Sequence, residues 1–418
     1  MTSLTPARTR LALLALALGG FGIGTTEFVA MGLLPDIALD LMPALYTADR
    51  DAAIARTGIV ISTYALGVVV GAPTIAALAA RFPRKGLLIT LAVAFTVATV
   101  ASALAPTFET VVAARFLAGL PHGAYFGVAA LVAAQLMGPG KRGQAVALVL
   151  AGLTIANVVG VPLITYLGQN SDWRVAYLAV AGIFALTTLA IAAVVPRLPG
   201  NPRATVRQEL QVFRKPAVWF ALLTGALGFG GFFAVYTYVS PMVTEITERP
   251  KSFVPFALVI LGIGMTVGNF IGGRLADRGA MRAVIWLFGA FATSLIVLGV
   301  SATSTVGLLA GLFLVGGSAA ALSPAIQTRL MDVAGDSQTM AAAVNHASLN
   351  LGNALGAFLG GVVIAAGFGY MSPTWVGLAL FVPGVASALV GWSIARDSQA
   401  TDEHPECVEA LSTAQVGS

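Results

Sequence analysis

Charge is scarce in this sequence. Asp, Glu, Lys and Arg make up 10% of its 418 residues, against about 25% in a typical soluble domain. That leaves too little polar coat for one large water-soluble core. Disorder is excluded by the same composition, because disordered chains are poor in apolar residues and 57% of this chain is hydrophobic. Cysteine is nearly absent: the single Cys407 lies in a polar tail, so no internal disulfide is available and the redox compartment is left unmarked. With three histidines, one of them in that tail, and one cysteine, there is no zinc-ligand spacing, and no phosphate-cradling glycine loop stands out. The net charge of +5 rests on few, scattered residues and gives no nucleic-acid-binding surface.

What the chain has is apolar length. Runs near 11–34, 57–79, 86–105, 109–136, 143–167, 174–195, 217–243, 253–275, 282–301, 305–328, 340–367 and 373–395 are each long enough to cross a bilayer. The first could instead be a cleaved signal, since Arg8 and Arg10 precede LALLALALGGFGIG. It continues through Glu27 to Leu34 without a convincing cleavage site, which favours a first membrane helix. The longest polar interruption, 196–216, divides the array into an N-terminal six-helix half, 1–195, and a C-terminal one, 217–396. The polar tail 397–418 is expected to be disordered.

Lys and Arg fix the orientation. Seventeen fall in loops on the side of the N-terminus, five on the other side, and Arg115 inside a span completes the 23. Positive residues stay cytoplasmic, so both termini and the linker are expected inside. The halves also repeat: a shift of 197 residues carries Gly67, Gly71, Leu78, Ala79 and Arg81 onto Gly264, Gly268, Leu275, Ala276 and Arg278, with Lys85 on Arg282. Two similar halves point to a transporter with its substrate path between them.

Ionisable groups inside hydrocarbon are costly and usually functional. Glu27, Arg115 and His346 fall there, with His122 as a fourth. Glu27 lies roughly 25 Å along its helix from Arg10, and Arg115 about 9 Å inward from Glu109 on an oppositely running helix. Their depths match, so the two are expected to pair, either as the proton-coupling site or as a structural pin between helices. His122 shares the Arg115 face two turns deeper. His346, Asn350 and Asn353 follow i, i+4, i+7 on one helix face, lining a cavity or bonding between helices. Gly352, Gly356 and Gly360 on the same helix favour close packing. Phe229, Phe232, Phe233 and Tyr236 form an aromatic stripe, either packing or the wall of an apolar pocket. In the fifth run, Gly152, Gly160 and Pro162 allow close approach and a kink, and Asn157 adds a buried polar group.

Together these features resemble the major facilitator superfamily over nearly the whole chain. GGRLADRGAMR (272–282) looks like its G-x-L-A-D-R-x-G-R-K loop signature. The resemblance makes Asp277 a tether between adjacent helices, with Arg278 and Arg282 gating the cytoplasmic side. The first-half copy, LAARFPRK (78–85), has Ala80 for the aspartate and Pro83 for the glycine, leaving Arg81, Arg84 and Lys85 as its gate residues. RFLAGLPHGAYFG (115–127) is similar to the family's R-x-x-x-G signature, in which the arginine assists proton transfer. GLTIANVVGVPLITYLGQ (152–169) looks like the antiporter signature of drug:proton exporters, with Ile164 in place of a common glycine. GIGTTEFVAMGLLPDIALDL (22–41) resembles the bacterial arabinose efflux permease and chloramphenicol-resistance branch.

The expectation is an all-α protein of twelve membrane helices in two pseudo-symmetric halves, in a bacterial inner membrane. It would export a small organic molecule, drug-like or sugar, in exchange for protons by alternating access. The proton is the coupling ion and no cofactor is expected. The partners are the substrate and the bilayer, with no nucleic acid, and the chain is expected to act as a monomer. Its substrate cavity would include His122, Asn157, Phe233, Tyr236, His346 and Asn350. A proton-coupled importer of a sugar or metabolite is the alternative, against which the helix-5 Gly/Pro run argues. An enzyme lacks its nucleophile–base pair or metal cluster, and a channel fits two repeated halves less well.

Overall fold

The computed structural model describes residues 5–79, 82–138, 142–200, 213–334 and 338–403. Arg81, Lys141, the middle of the 196–216 linker and the tail beyond Glu403 lie outside the described residues. The first half comprises α1 (Pro6–Gly32), α2 (Arg50–Ala79), α3 (Arg84–Leu104), α4 (Phe108–Met137), α5 (142–170) and α6 (Trp173–Val194). The second half opens with α7 (Pro216–Thr237). Helical structure then runs without interruption over the 48 residues Val254–Ser301. At about 1.5 Å per residue that is ~72 Å, more than twice the ~30 Å of a hydrocarbon core. The backbone breaks at Gly279, with φ 148° and ψ 99°, a conformation open to glycine. The segment is therefore two spans, α8 (254–278) and α9 (280–301). The last three are α10 (Thr305–Ala334), α11 (Gln338–Val363) and α12 (Ser372–Glu403).

Among the described residues eleven helices are long and apolar enough to cross a membrane. With the helix broken at Gly279 counted as two, the spans number twelve, as the hydropathy runs require. α12 stays helical through Glu403, past the Arg396 boundary, because neither Gly nor Pro interrupts the sequence before Pro405. Large apolar side chains such as Val97, Leu189, Trp286 and Val382 stand exposed on the outer surface. In a bilayer these face lipid.

The 197-residue repeat reappears as matching contacts. A Cβ on Gly67 would sit 2.2 Å from the Phe116 carbonyl oxygen, and one on Gly264 2.2 Å from that of Phe313. One on Gly71 would meet the Leu120 carbonyl oxygen at 2.0 Å, and one on Gly268 that of Gly317 at 1.8 Å. The shift that carries each glycine to its counterpart also carries its neighbour. The same backbone-to-backbone seam thus joins α2 to α4 and α8 to α10. Small residues are how helices bury surface against one another where lipid offers no hydrophobic drive.

The halves meet mainly where α2 packs along α11 and α5 against α8. In α5, Cβ atoms on Gly152 and Gly160 would stand 2.0 Å from the Ala17 carbonyl oxygen and 2.6 Å from Thr25 Oγ1, so both glycines let α5 lie against α1. Between them Ala156–Gly160 widens into a π-turn ahead of Pro162, which has no N–H for the ladder.

Gly268→Ala is expected to cost about 1–3 kcal/mol by overpacking the α8–α10 seam, seen as a lowered melting temperature in detergent. Gly86→Ala, at a position with nothing within 4 Å, should leave the melting temperature unchanged or slightly raised.

Candidate functional site

The face where α1 begins and α12 ends is the terminal side, and the opposite face the far side. Between the halves lies a cavity of about 200 Å³, room for on the order of a dozen waters. α1, α4, α5, α7, α8, α10 and α11 line it. Phe28 with Phe229, Phe232 and Phe233 makes one wall, while Asn157, Asn269, Gln327, Asn345 and Asn350 put carboxamides on the others. His122, His346 and Glu27 complete the ionisable lining, with Glu27 at the end nearest the far side.

Beyond Glu27 the halves are joined. Asn353 Nδ2 of α11 donates to Glu27 Oε1 at 3.3 Å, and Ser62 Oγ of α2 donates to the Ala354 carbonyl at 3.1 Å. Nearer the far surface, Arg50 pairs with Glu245 at 2.9 Å, Lys251 with Asp36, and the Tyr370 hydroxyl donates to Asp51 at 2.6 Å. Burial and the Asp51 carboxylate hold the Tyr370 phenol well above its ordinary value. Among the described residues, the hydrogen bonds and ion pairs that join the halves all lie at the level of Glu27 or farther from the termini. The cavity is closed toward the far side, and its lining extends toward the terminal side through Asn269, Gln327 and Asn345.

The expected ion pair between Glu27 and Arg115 is not formed, although the depth match is right. Arg115, fully buried, donates to Thr26 Oγ1 at 3.0 Å and to the Thr26 carbonyl at 2.9 Å. Its guanidinium carbon lies 4.3 Å from the centre of the Tyr64 ring and 5.3 Å from that of Tyr177. Successive residues on a helix point about 100° apart. Thr26 therefore faces the interior of the first half, and Glu27 faces the cavity. Sequence separation gave the depth of each charge and could not give its azimuth.

His122 meets the Tyr64 hydroxyl through Nδ1 at 3.1 Å, so Arg115 and His122 share one tyrosine. Across the seam the His122 and His346 rings stand 6.1 Å apart, and Phe126 stacks on His346 at 5.2 Å. His346 and Asn350 line the cavity while Asn353 reaches across it to Glu27, so the polar face of α11 does both things expected of it. Phe233 lines the cavity; Tyr236 lies behind, stacked on Phe28 at 5.4 Å. Gly352 and Gly356 bring α11 against α7, where Cβ atoms would meet the Ala226 and Gly230 carbonyls at 2.4 and 2.1 Å.

On the terminal side, the Lys85 ammonium donates to the Ala192 carbonyl at 2.7 Å within the first half, and the backbone N–H of Arg84 to the Leu198 carbonyl of the linker at 3.0 Å; neither reaches the second half. Asp277, Arg278 and Arg282 are exposed around the Gly279 bend. Among the described residues no hydrogen bond or ion pair ties Asp277 to an adjacent helix. Among the described residues the tether that the loop signature implied is not seen, and the carboxylate stands exposed beside the bend. Sequence reasoning also missed the wall residues Phe28, Asn269, Gln327 and Asn345, and the far-side charges Asp36, Arg50, Asp51, Glu245 and Lys251. The charges were visible only as loop residues, with nothing to pair them.

The Major Facilitator Superfamily matches this chain over residues 16–249 and again over 240–410. An inner membrane transport protein of Escherichia coli K12, YdhP, is 39% identical over 399 residues, covering 95% of this chain and 97% of that protein. A chloramphenicol resistance protein of Streptomyces lividans is 32% identical over 369 residues, 87% of this chain and 90% of that one. Of solved structures, a D-xylose-proton symporter superposes with a TM-score of 0.71 at 19% identity, over 92% of this chain and 97% of that one, a likeness of fold alone. The twelve spans, the repeated glycine seams, the central cavity and these similarities agree: the chain belongs to the Major Facilitator Superfamily of membrane transporters.

Proposed function

We propose that this protein is an exporter of a bacterial inner membrane that exchanges a small organic molecule for protons by alternating access, with both termini cytoplasmic. The observation that carries this reading is the asymmetry of the seam. A cavity closed toward the far side ends at a buried carboxyl group, which is itself one of the cross-half contacts. The excess of Lys and Arg on the terminal side supports the orientation. Export is supported by the α5 geometry at Gly152, Gly160 and Pro162 and by the similarity to a chloramphenicol resistance protein.

The chemistry follows from Glu27. A hydrogen bond to an ionised acceptor is roughly twice as strong as one between neutral groups, so the Asn353–Glu27 bond is strongest when Glu27 has lost its proton. Arg115, held on Thr26 directly behind it, keeps the carboxylate from being an isolated buried charge. Proton release toward the terminal side then tightens the far-side closure. Protonation from the far side neutralises the acceptor and weakens it. A single group thereby links the proton to the choice of open side.

Glu27→Gln keeps the shape and an acceptor but cannot titrate. It is expected to lower pH-driven export from proteoliposomes at least about tenfold, while ligand still binds, more weakly, without a gradient; unchanged proton-driven export contradicts the role. Uptake into intact cells in place of accumulation in everted vesicles would turn the reading to import.

The far-side lock consists of partly exposed pairs, each worth about 0.2–1 kcal/mol. Arg50→Ala alone should raise far-side thiol labelling of a Thr57→Cys reporter, in a Cys407→Ser background, by up to about fivefold. The triple variant Arg50→Ala, Asp51→Asn, Lys251→Ala should raise it further. Equal labelling in the parent and the triple variant counts against the lock.

A further inference from the structure

The polar lining of the cavity uses its hydrogens in a way that selects a ligand. On α5, Asn157 Nδ2 donates to the Leu153 carbonyl at 3.1 Å, and on α11, Asn350 Nδ2 donates to the His346 carbonyl at 3.0 Å. A backbone carbonyl only accepts. In both side chains the nitrogen must therefore be the atom turned to its own helix, and the Oδ1 is left over. Both oxygens are buried without a partner. On α8 the Thr266 hydroxyl gives its hydrogen to the Gly262 carbonyl at 2.9 Å, which leaves only lone pairs. Glu27 adds carboxylate oxygens at the far end.

The deep part of the cavity thus holds an excess of acceptors, which Ser323, free to turn its one hydrogen either way, does not offset. Buried acceptors without donors are costly and call for a partner. Opposite them stand phenylalanine rings and, nearer the terminal side, the His122 and His346 imidazoles, whose N–H groups are fewer than the acceptors. Among the described residues Glu27 is the one acidic side chain in the lining, and Arg115, held on Thr26, partly offsets its charge. The site therefore offers a cation little net negative charge.

We propose that the cavity selects a neutral amphipathic molecule that offers at least two hydroxyl or amide hydrogens to Asn157, Asn350 and Glu27 and lays an apolar face on the phenylalanine wall. The proposal rests on the transporter reading and names the substrate class of the same site. It also gives the donors a second task. A ligand hydroxyl that donates to Glu27 takes the place of Asn353 there and releases one of the bonds that hold the far side closed.

Three probes with one aryl group test this on the purified full-length protein by calorimetry: phenyl β-D-glucoside, its tetra-O-methyl ether, and phenyltrimethylammonium. The ether keeps every acceptor and removes every donor; the ammonium ion tests charge. The glucoside is expected to bind at least about tenfold tighter than either. Asn350→Asp, which keeps an acceptor, should retain the preference over the ether, and Asn350→Leu should reduce it severalfold. Should the leucine variant not fold, the matched probes on the parent protein still decide. Equal or tighter binding of the ether or the ammonium ion, or binding of none of the three, overturns the proposal. Proton-driven transport of the bound probe in proteoliposomes separates the two readings. Glucoside-selective binding without such transport sinks the exporter and leaves the donor preference standing, while equal binding and transport of glucoside and ether does the reverse.

Discussion

In hydrocarbon a charged side chain must be answered by the protein, because no water is available to do it. The contact between Arg115 and Thr26 is where this chain meets that demand. Two hydrogen bonds, together with the Tyr64 and Tyr177 rings on which the guanidinium lies, anchor a cation behind α1. The next residue turns into the cavity as a carboxyl group. The two are not paired, and Glu27 bonds across the seam to Asn353. Had they paired directly, the cation would favour the ionised carboxylate and loosen the proton's hold on that contact.

Each half is packed as a unit. Within each, glycines bring backbones together at contacts too close to admit a methyl group, and the same two glycine positions do so at the same offset in both halves. Between them, glycines at Gly262 and Gly361 also bring backbones close in the α5–α8 and α2–α11 packings, and single hydrogen bonds and partly exposed ion pairs are added on the far side. The cavity lies on that seam, so whatever changes its occupancy acts on the interface directly.

Much of the fold was legible in the sequence because lipid imposes a simple rule of length and charge. Twelve apolar runs became twelve spans, and the 197-residue repeat foretold which glycines would share a role. The break at Gly279 lay inside the LADRGAMR segment, where charge had already marked a loop. The site was legible only in part. Depth along a helix follows from counting residues, and this placed Glu27 and Arg115 at one level. Azimuth depends on how each helix is rotated within the bundle, and for that reason the expected pair resolved into two different partnerships, Arg115 with Thr26 and Glu27 with Asn353. The polar face of α11 was visible as a run of three, whereas Asn269 and Gln327 each have one polar helix-mate, Thr266 and Ser323, too short a spacing to stand out. The far-side ion pairs join residues some two hundred positions apart, beyond the reach of local periodicity.

The central claim is that opening on one side and closing on the other are one motion governed by the seam. Spin-label distances across the halves test it most directly, with one pair at Asp49 and Glu248 on the far side and a second at Phe82 and Arg282 on the terminal side, both in a Cys407→Ser background. As pH is lowered and a transported ligand is added, the account predicts that the terminal-side distance shortens while the far-side distance lengthens. Two distances that stay fixed, or that lengthen together, would contradict it.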